Sequence, residues 1–132
     1  MEYMGDKQYW DEKFEQRSDK PLNPEKSLVE NIKYLKKGSV LDVACGDGRN
    51  TLFLLQNKFK VTGIDFSNKA LQRLERFTKR NKYSVDVKQV DLTMPDSLKN
   101  IGIFDNIVIN YYRLKKEQID NIKSNLSDIG IL

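Results

Sequence analysis

Residues 39–50 read SVLDVACGDGRN. The first five form a short β-branched, apolar run that leads directly into a glycine turn at residues 45–48, the pattern of a buried strand feeding a loop. From Arg49 to about Asn57 the spacing turns helical through Leu52, Phe53 and Leu55, and KVTGIDF at 60–66 returns to strand. Strand, loop, helix and strand within so few residues require two parallel strands of one sheet joined by a right-handed crossover.

The same alternation continues outward. Ser67 caps a helix whose inward stripe is Ala70, Leu71, Leu74 and Phe77. SVDVKQVDL at 84–92 alternates as a less completely buried strand, as expected near a sheet edge. A loop at 93–102 precedes a fourth strand, FDNIVINYY at 104–112, and a helix from Glu117 to Leu126 turns Ile119, Ile122 and Leu126 inward. The chain stops at Ile129–Leu132, at what reads as the start of a fifth strand, so a truncated chain is expected. Upstream, residues 5–17 form a short amphipathic helix carrying Tyr9, Trp10 and Phe14. Asn23 as N-cap and Pro24 at the first helical position open a second helix with Leu28, Ile32 and Leu35 inward, stopped by Gly38. The expectation is an α/β fold with an open, doubly wound parallel sheet and no linker dividing it.

Composition narrows the function. The chain has 132 residues, about one domain's worth, and no apolar run long enough to span a membrane; with no signal-peptide pattern at its start it is expected in the cytoplasm. It has no histidine and one cysteine, which argues against zinc chemistry, Ser-His triads and an internal disulfide, and no metal ligand set is assigned. Its net charge of +4 is spread along the chain; Lys36-Lys37, Lys79-Arg80-Lys82 and Lys115-Lys116 read as solvated helix ends, so a nucleic-acid partner is not expected.

In an open parallel sheet a ligand binds beyond the carboxyl ends of the strands. Those places hold Asp42, the Cys45-Gly46-Asp47-Gly48 loop, Asp65, Asp91 and Asn110. Gly46 and Gly48 let the backbone turn tightly near a ligand, and the helix opening near Asn50 aims its amides at the same spot. A carboxylate at the end of the second strand accepts ribose hydroxyls. Each acid has a plain alternative: a loop or helix cap for Asp42 and Asp65, a turn before Pro95 for Asp91. Together they fit a nucleoside-type ligand better. A dinucleotide fingerprint would need G-x-G-x-x-G, but Thr51 stands at the third glycine and Asp42 would repel a pyrophosphate, whereas it suits an ammonium group. This disfavours a nicotinamide-dependent oxidoreductase.

VLDVACGDGRN at 40–50 resembles motif I of class I S-adenosylmethionine-dependent methyltransferases, and GIDFS at 63–67 resembles their second motif. The Cys-Gly-x-Gly-Arg-Asn form, with Tyr9-Trp10-Asp11 upstream and FDNIVINYY downstream, is similar to the tellurite-resistance and thiopurine methyltransferase-like branch. The resemblance implies a Rossmann-like core at 38–132 behind a helical segment at 1–37, a single domain lacking the last two of the family's usual seven strands. It implies S-adenosylmethionine as cofactor and methyl transfer by in-line displacement. Asp42, the Ala44–Gly48 loop (Ala44, Cys45, Gly46, Gly48) and Asn50 would hold the methionine moiety, and Asp65 the ribose. Phe66 would lie against the adenine face, Asp91 and the Leu92 amide would meet the adenine amino group, and Asn110 would stand near the transfer cleft. Ala44 replaces a frequent glycine, a small change if its φ is not positive.

A sulfonium carries its own activation, so alignment and water exclusion suffice, and no catalytic side chain is assigned. The acceptor expected is a small molecule. Asn110-Tyr-Tyr-Arg113 resembles the Asn-Pro-Pro-Tyr motif of amino-group methyltransferases but lacks both prolines. A truncated, non-catalytic cofactor-binding module is the alternative, and its exposed last strand would favour a homodimer. Tyr9 and Trp10 fit either a lid over the sulfonium or plain packing on the sheet. Cys45 has no neighbouring base and reads as a small packing residue.

Overall fold

The structure, a computed structural model, describes residues 7–94, 97–109 and, as backbone only, 126–131. Five strands, β1 (Ser39–Val43), β2 (Lys60–Asp65), β3 (Asp86–Gln89), β4 (Phe104–Ile109) and β5 (Leu126–Ile131), form one parallel sheet in the order β3-β2-β1-β4-β5. β1 lies at its centre, pairing Val40 with Val61 on one side and with Asn106 on the other. The order reverses between β1 and β4, where a doubly wound sheet leaves a crevice for a ligand.

Alternation along the strands separates two cores. Val40 and Val61 pack with Leu54 and Leu55 of α3 (Arg49–Gln56), while Leu41, Val43 and Ile64 pack on the opposite face with Val90, Leu98, Phe104 and Ile107. β1 and β2 are buried on both faces, hence their near-continuous apolar sequence. On the α3 face, α4 (Asn68–Arg80) sends Leu71 and Leu74 against Cys45. Ser67 is its N-cap as expected, its hydroxyl accepting the Ala70 amide at 3.2 Å.

Asn106, fully buried on β4, ties the approach to β1. Its Oδ1 accepts the Lys36 amide at 2.9 Å, and its Nδ2 donates to the Lys36 and Ser39 carbonyls at 2.8 and 3.1 Å. Beside it Asp105 Oδ2 accepts the Ser39 amide at 3.0 Å.

Several boundaries differ from the sequence expectation. The N-terminal helix α1 spans Lys7–Gln16, but the second does not begin at Pro24: α2 is Lys26–Asn31, after an extended Glu25, and gives way to a 3₁₀ turn at Ile32–Tyr34. The stretch before it is anchored instead. Asn50 Oδ1 accepts the Glu25 amide at 2.8 Å, Arg49 Nε donates to the Asn23 carbonyl at 2.7 Å, and Arg49 Nη1 stands 3.0 Å from Glu25 Oε1. These bonds pin residues 23–25 against the start of α3, outweighing the Pro24 helix-start signal. β3 is shorter than 84–92, because it pairs on one side only, at the sheet edge where alternation placed it. Leu126 is not the last turn of a helix: it begins β5 and pairs with Phe104, so the strand starts earlier than Ile129. The helix expected upstream of it, and the end of the fourth strand at 110–112, lie outside the described residues.

Candidate functional site

The carboxyl ends of β1, β2 and β3 bring most of the expected residues together. The loop after β1 turns through Ala44 (φ 56°), Gly46 (φ 58°) and Gly48 (φ 95°). Ala44 therefore does stand in the left-handed region, where a glycine would carry no Cβ penalty, and the replacement of glycine there is not a neutral one. The loop is drawn across to β2 by Asp65, whose Oδ2 accepts the Gly46 amide at 2.9 Å and whose Oδ1 accepts the Ser67 amide at 2.9 Å. Asp65 is thus both a local brace for the turn into α4 and a carboxylate with lone pairs to spare. Phe66, half-buried, follows it; its carbonyl accepts Gln89 Nε2 at 3.1 Å. The Val90 amide donates to the Asp65 carbonyl at 2.9 Å, bringing the Asp91–Leu92 turn alongside. Asp91 is exposed and closes that turn, its Oδ1 accepting the amide and hydroxyl of Thr93 at 2.9 and 2.6 Å.

Asp42 lies beneath the loop, 1% exposed, with Oδ2 accepting the Thr51 hydroxyl of α3 at 2.6 Å. Asn50 is also buried, its side-chain oxygen taken by Glu25. Cys45 is buried against Leu71 and Leu74, and a Cβ on Gly63 would come within 2.9 Å of its Sγ, so the β2 glycine makes room for the thiol. Asn110 lies outside the described residues.

Burial, with a smaller contribution from the nearby Asp65 charge, pushes the Asp42 carboxyl up to about 7 against the bond from Thr51. Burial also raises Asp65, opposed by the Ser67, Gly46 and Phe66 amides. The Cys45 thiol is pushed well up by burial and by Asp42 and Asp65, which keeps it a packing group. Among the described residues no basic side chain forms an ion pair with Asp42 or Asp65. Two buried acids at adjacent strand ends make a site that favours positive charge.

This has a pH signature. Folded Asp42 holds its proton to about pH 7, whereas the unfolded residue releases it near 3.8, so the folded state binds more protons in that window and stability falls as pH rises through it. Asp65 acts in the same direction. Asp11, whose burial is outweighed by bonds from Lys7 and Ser67, and Asp19, held down by Arg80, act oppositely but below pH 4. The unliganded chain should lose on the order of 4 kcal/mol between pH 4 and 7.5 from Asp42, at about 1.4 kcal/mol per unit of separation. Thermal melts across that range should show the slope flattened in Asp42→Asn; an unaltered slope would place the titration elsewhere.

The family model for the tellurite resistance protein TehB matches residues 2–130. The chain belongs to the TehB family. It is 33% identical over 98 residues to the Bacillus subtilis (strain 168) protein named "Putative methyltransferase YqeM", an alignment covering 67% of this chain and 37% of that protein. It is 23% identical over 101 residues to "Probable S-adenosyl-L-methionine-dependent methyltransferase TehB" of Haemophilus influenzae (strain ATCC 51907 / DSM 11121 / KW20 / Rd), covering 76% of this chain and 35% of that one. The crystal structure of TehB from Haemophilus influenzae superposes with a TM-score of 0.68 at 21% identity, over 92% of this chain and 42% of that chain, and establishes the shared fold. The chain therefore spans between about a third and a half of the length of the curated relatives it matches.

Within this TehB-family chain, sequence reasoning missed four residues that shape the loop. Thr51 holds Asp42. Asp11 in α1 accepts the Ser67 hydroxyl. Phe14 in α1 is buried with its Cζ 3.3 Å from where a Gly46 Cβ would stand. Asp47, between the two loop glycines, is 2% exposed and ion-paired with both Arg17 and Arg73. The signal for Asp47 was present, an acid inside a buried glycine loop, but its partners come from two other elements that no local pattern links to it. Trp10 stacks toward Phe14 at 6.0 Å between ring centroids and carries the Lys13 ammonium 5.0 Å above its ring, while Tyr9 is half-exposed. No helix among the described residues is long and apolar enough to cross a membrane.

Proposed function

We propose that the chain forms the cofactor-binding part of an S-adenosylmethionine-dependent methyltransferase. The observation that carries this reading is the pair of buried carboxylates, Asp42 and Asp65, set without ion-pair partners among the described residues around a left-handed glycine loop. The donor set fits the group. A cationic amino-acid head suits the negative field at the end of β1, and Asp65 keeps lone pairs free for a ribose diol while it braces Gly46. When bound, the cofactor supplies a methyl group already activated on a sulfonium.

The residues then divide the work. Asp42, Ala44, Cys45, Gly46, Gly48 and Asn50 shape the methionine end, Asp42 through Thr51 and the loop backbone. Asp65 receives the ribose, Phe66 flanks the adenine, and Asp91 with the Leu92 amide meets its amino group; Asn110 is assigned to the transfer cleft from the motif alone. The names of the Bacillus subtilis and Haemophilus influenzae relatives support the same chemistry. A small-molecule acceptor is favoured over nucleic acid because four basic side chains of α4 are engaged within the chain: Lys69 pairs with Glu15, Arg73 with Asp47, and Arg76 and Arg80 with Asp19.

Calorimetric titration with S-adenosylhomocysteine tests the reading. The parent chain should bind it, and Asp65→Ala should bind at least about tenfold more weakly, the value of a hydrogen bond to a charged acceptor. A parent chain that binds none would overturn the assignment.

A further inference from the structure

The loop between β1 and α3 carries two glycines in the left-handed region, Gly46 and Gly48 on either side of Asp47, where residue preference alone does little to fix the backbone. Asp65 holds its Gly46 amide from β2, and the loop's own polar anchor is Asp47. Asp47 Oδ2 lies 3.2 Å from Arg73 Nε on α4 and 3.3 Å from Arg17 Nη1 at the end of the N-terminal helix. Arg73, buried like Asp47, also donates from Nη2 to the Ser18 carbonyl at 2.6 Å. One carboxylate oxygen therefore joins the loop, α4 and the N-terminal segment in a site largely closed to solvent, where a charge-assisted bond is least screened. The same helix reaches the site twice more, through Phe14 at Gly46 and Asp11 at Ser67.

We propose that Asp47 is a positioning residue for the cofactor loop, acting through Arg73 and Arg17, so that docking of α1 and occupancy of the loop strengthen one another. This rests on the cofactor reading above. Asp47 does not itself contact the ligand: it sets the path of the Gly46 and Gly48 backbone from behind. If seating Arg17 favours the binding shape of the loop, linkage requires that ligand in the loop favours the seated helix by the same factor. Arg17→Met keeps an unbranched stem beside Phe14 and removes the charged tie together with the guanidinium's 4.5 Å contact on that ring.

The test uses the full chain, with S-adenosylhomocysteine as probe and the chain's one tryptophan, Trp10 on α1, as reporter. Calorimetry on the parent, Arg17→Met, Arg17→Lys and Asp47→Asn should show affinity falling about 5- to 20-fold in Arg17→Met, with Arg17→Lys between it and the parent. The thermal midpoint of unliganded Arg17→Met should stay near the parent's, since Asp47 keeps its pairing with the buried Arg73. Saturating ligand should shift Trp10 emission and slow tryptic cleavage after Arg17 in the parent, and shift Trp10 emission much less in Arg17→Met. Should Asp47→Asn fail to fold, Arg17→Met carries the test alone. A parent that binds while Arg17→Met binds equally well overturns the coupling and leaves the cofactor reading intact; a parent that does not bind overturns both.

Discussion

Gly48→Ala is expected to cost about 2–5 kcal/mol of folding stability and to abolish ligand binding by the loop. Gly48 has φ 95°, and a Cβ there would fall 2.2 Å from Leu74 Cδ1 and 3.2 Å from its Cγ. A side chain in the left-handed region costs roughly 1–2 kcal/mol, and forcing a methyl into a filled core a further 1–3 kcal/mol or so. Leu74 cannot yield cheaply, because it is fully buried between the loop and β2. Thermal melts should show a fall of roughly 10 °C, at about 3–5 °C per kcal/mol for a chain of this size. Gly46→Ala makes the contrast: its Cβ would meet only the Phe14 ring, Cζ at 3.3 Å and Cε1 at 3.7 Å, so it should destabilise less. Equal melts for parent and Gly48→Ala would mean that Leu74 repacks and that the loop does not require glycine there.

Asn106→Ala should destabilise by about 3–4 kcal/mol without touching the cofactor residues. The side chain is fully buried and satisfies three backbone groups, the amide and carbonyl of Lys36 and the carbonyl of Ser39. Each lost bond costs roughly 1 kcal/mol, and partners left unsatisfied add their desolvation. Asn106→Asp keeps the acceptor but loses both donor bonds and buries a charge, so it should be no better. Urea titration should show a lower midpoint at unchanged slope; a change of less than 1 kcal/mol would indicate that water replaces the amide.

The central part of the fold was legible because its signals are local. SVLDV, the glycine loop and KVTGIDF fall on β1, its loop and β2 within a residue, and Ser67 caps α4 by its own hydroxyl. Legibility failed where distant groups decide. Pro24 is a sound helix-start signal, yet Arg49 and Asn50 hold the preceding chain extended. Leu126 fits a helical stripe and is a strand residue because β4 offers a free edge to pair with. In the site, the acids at the strand ends were readable from topology, but the positive φ of Ala44 and the charges converging on Asp47 were not. The first is a backbone angle the residue type disfavours, and the second depends on how α1 and α4 meet.

The strand order also sets a timetable. β1 can pair with β2 as soon as both have left the ribosome, but its other flank stays unpaired until Asn106 and its neighbours emerge, after β3 has already been added at the far edge. A nascent chain must therefore carry its central strand half-covered through the synthesis of α4, β3 and the loop beyond. Closure depends on contacts distant in sequence, the kind that fold slowly. Asn106 bears on that step twice over, since the residue that completes the β1 flank is also the one that locks the chain entering β1 in place.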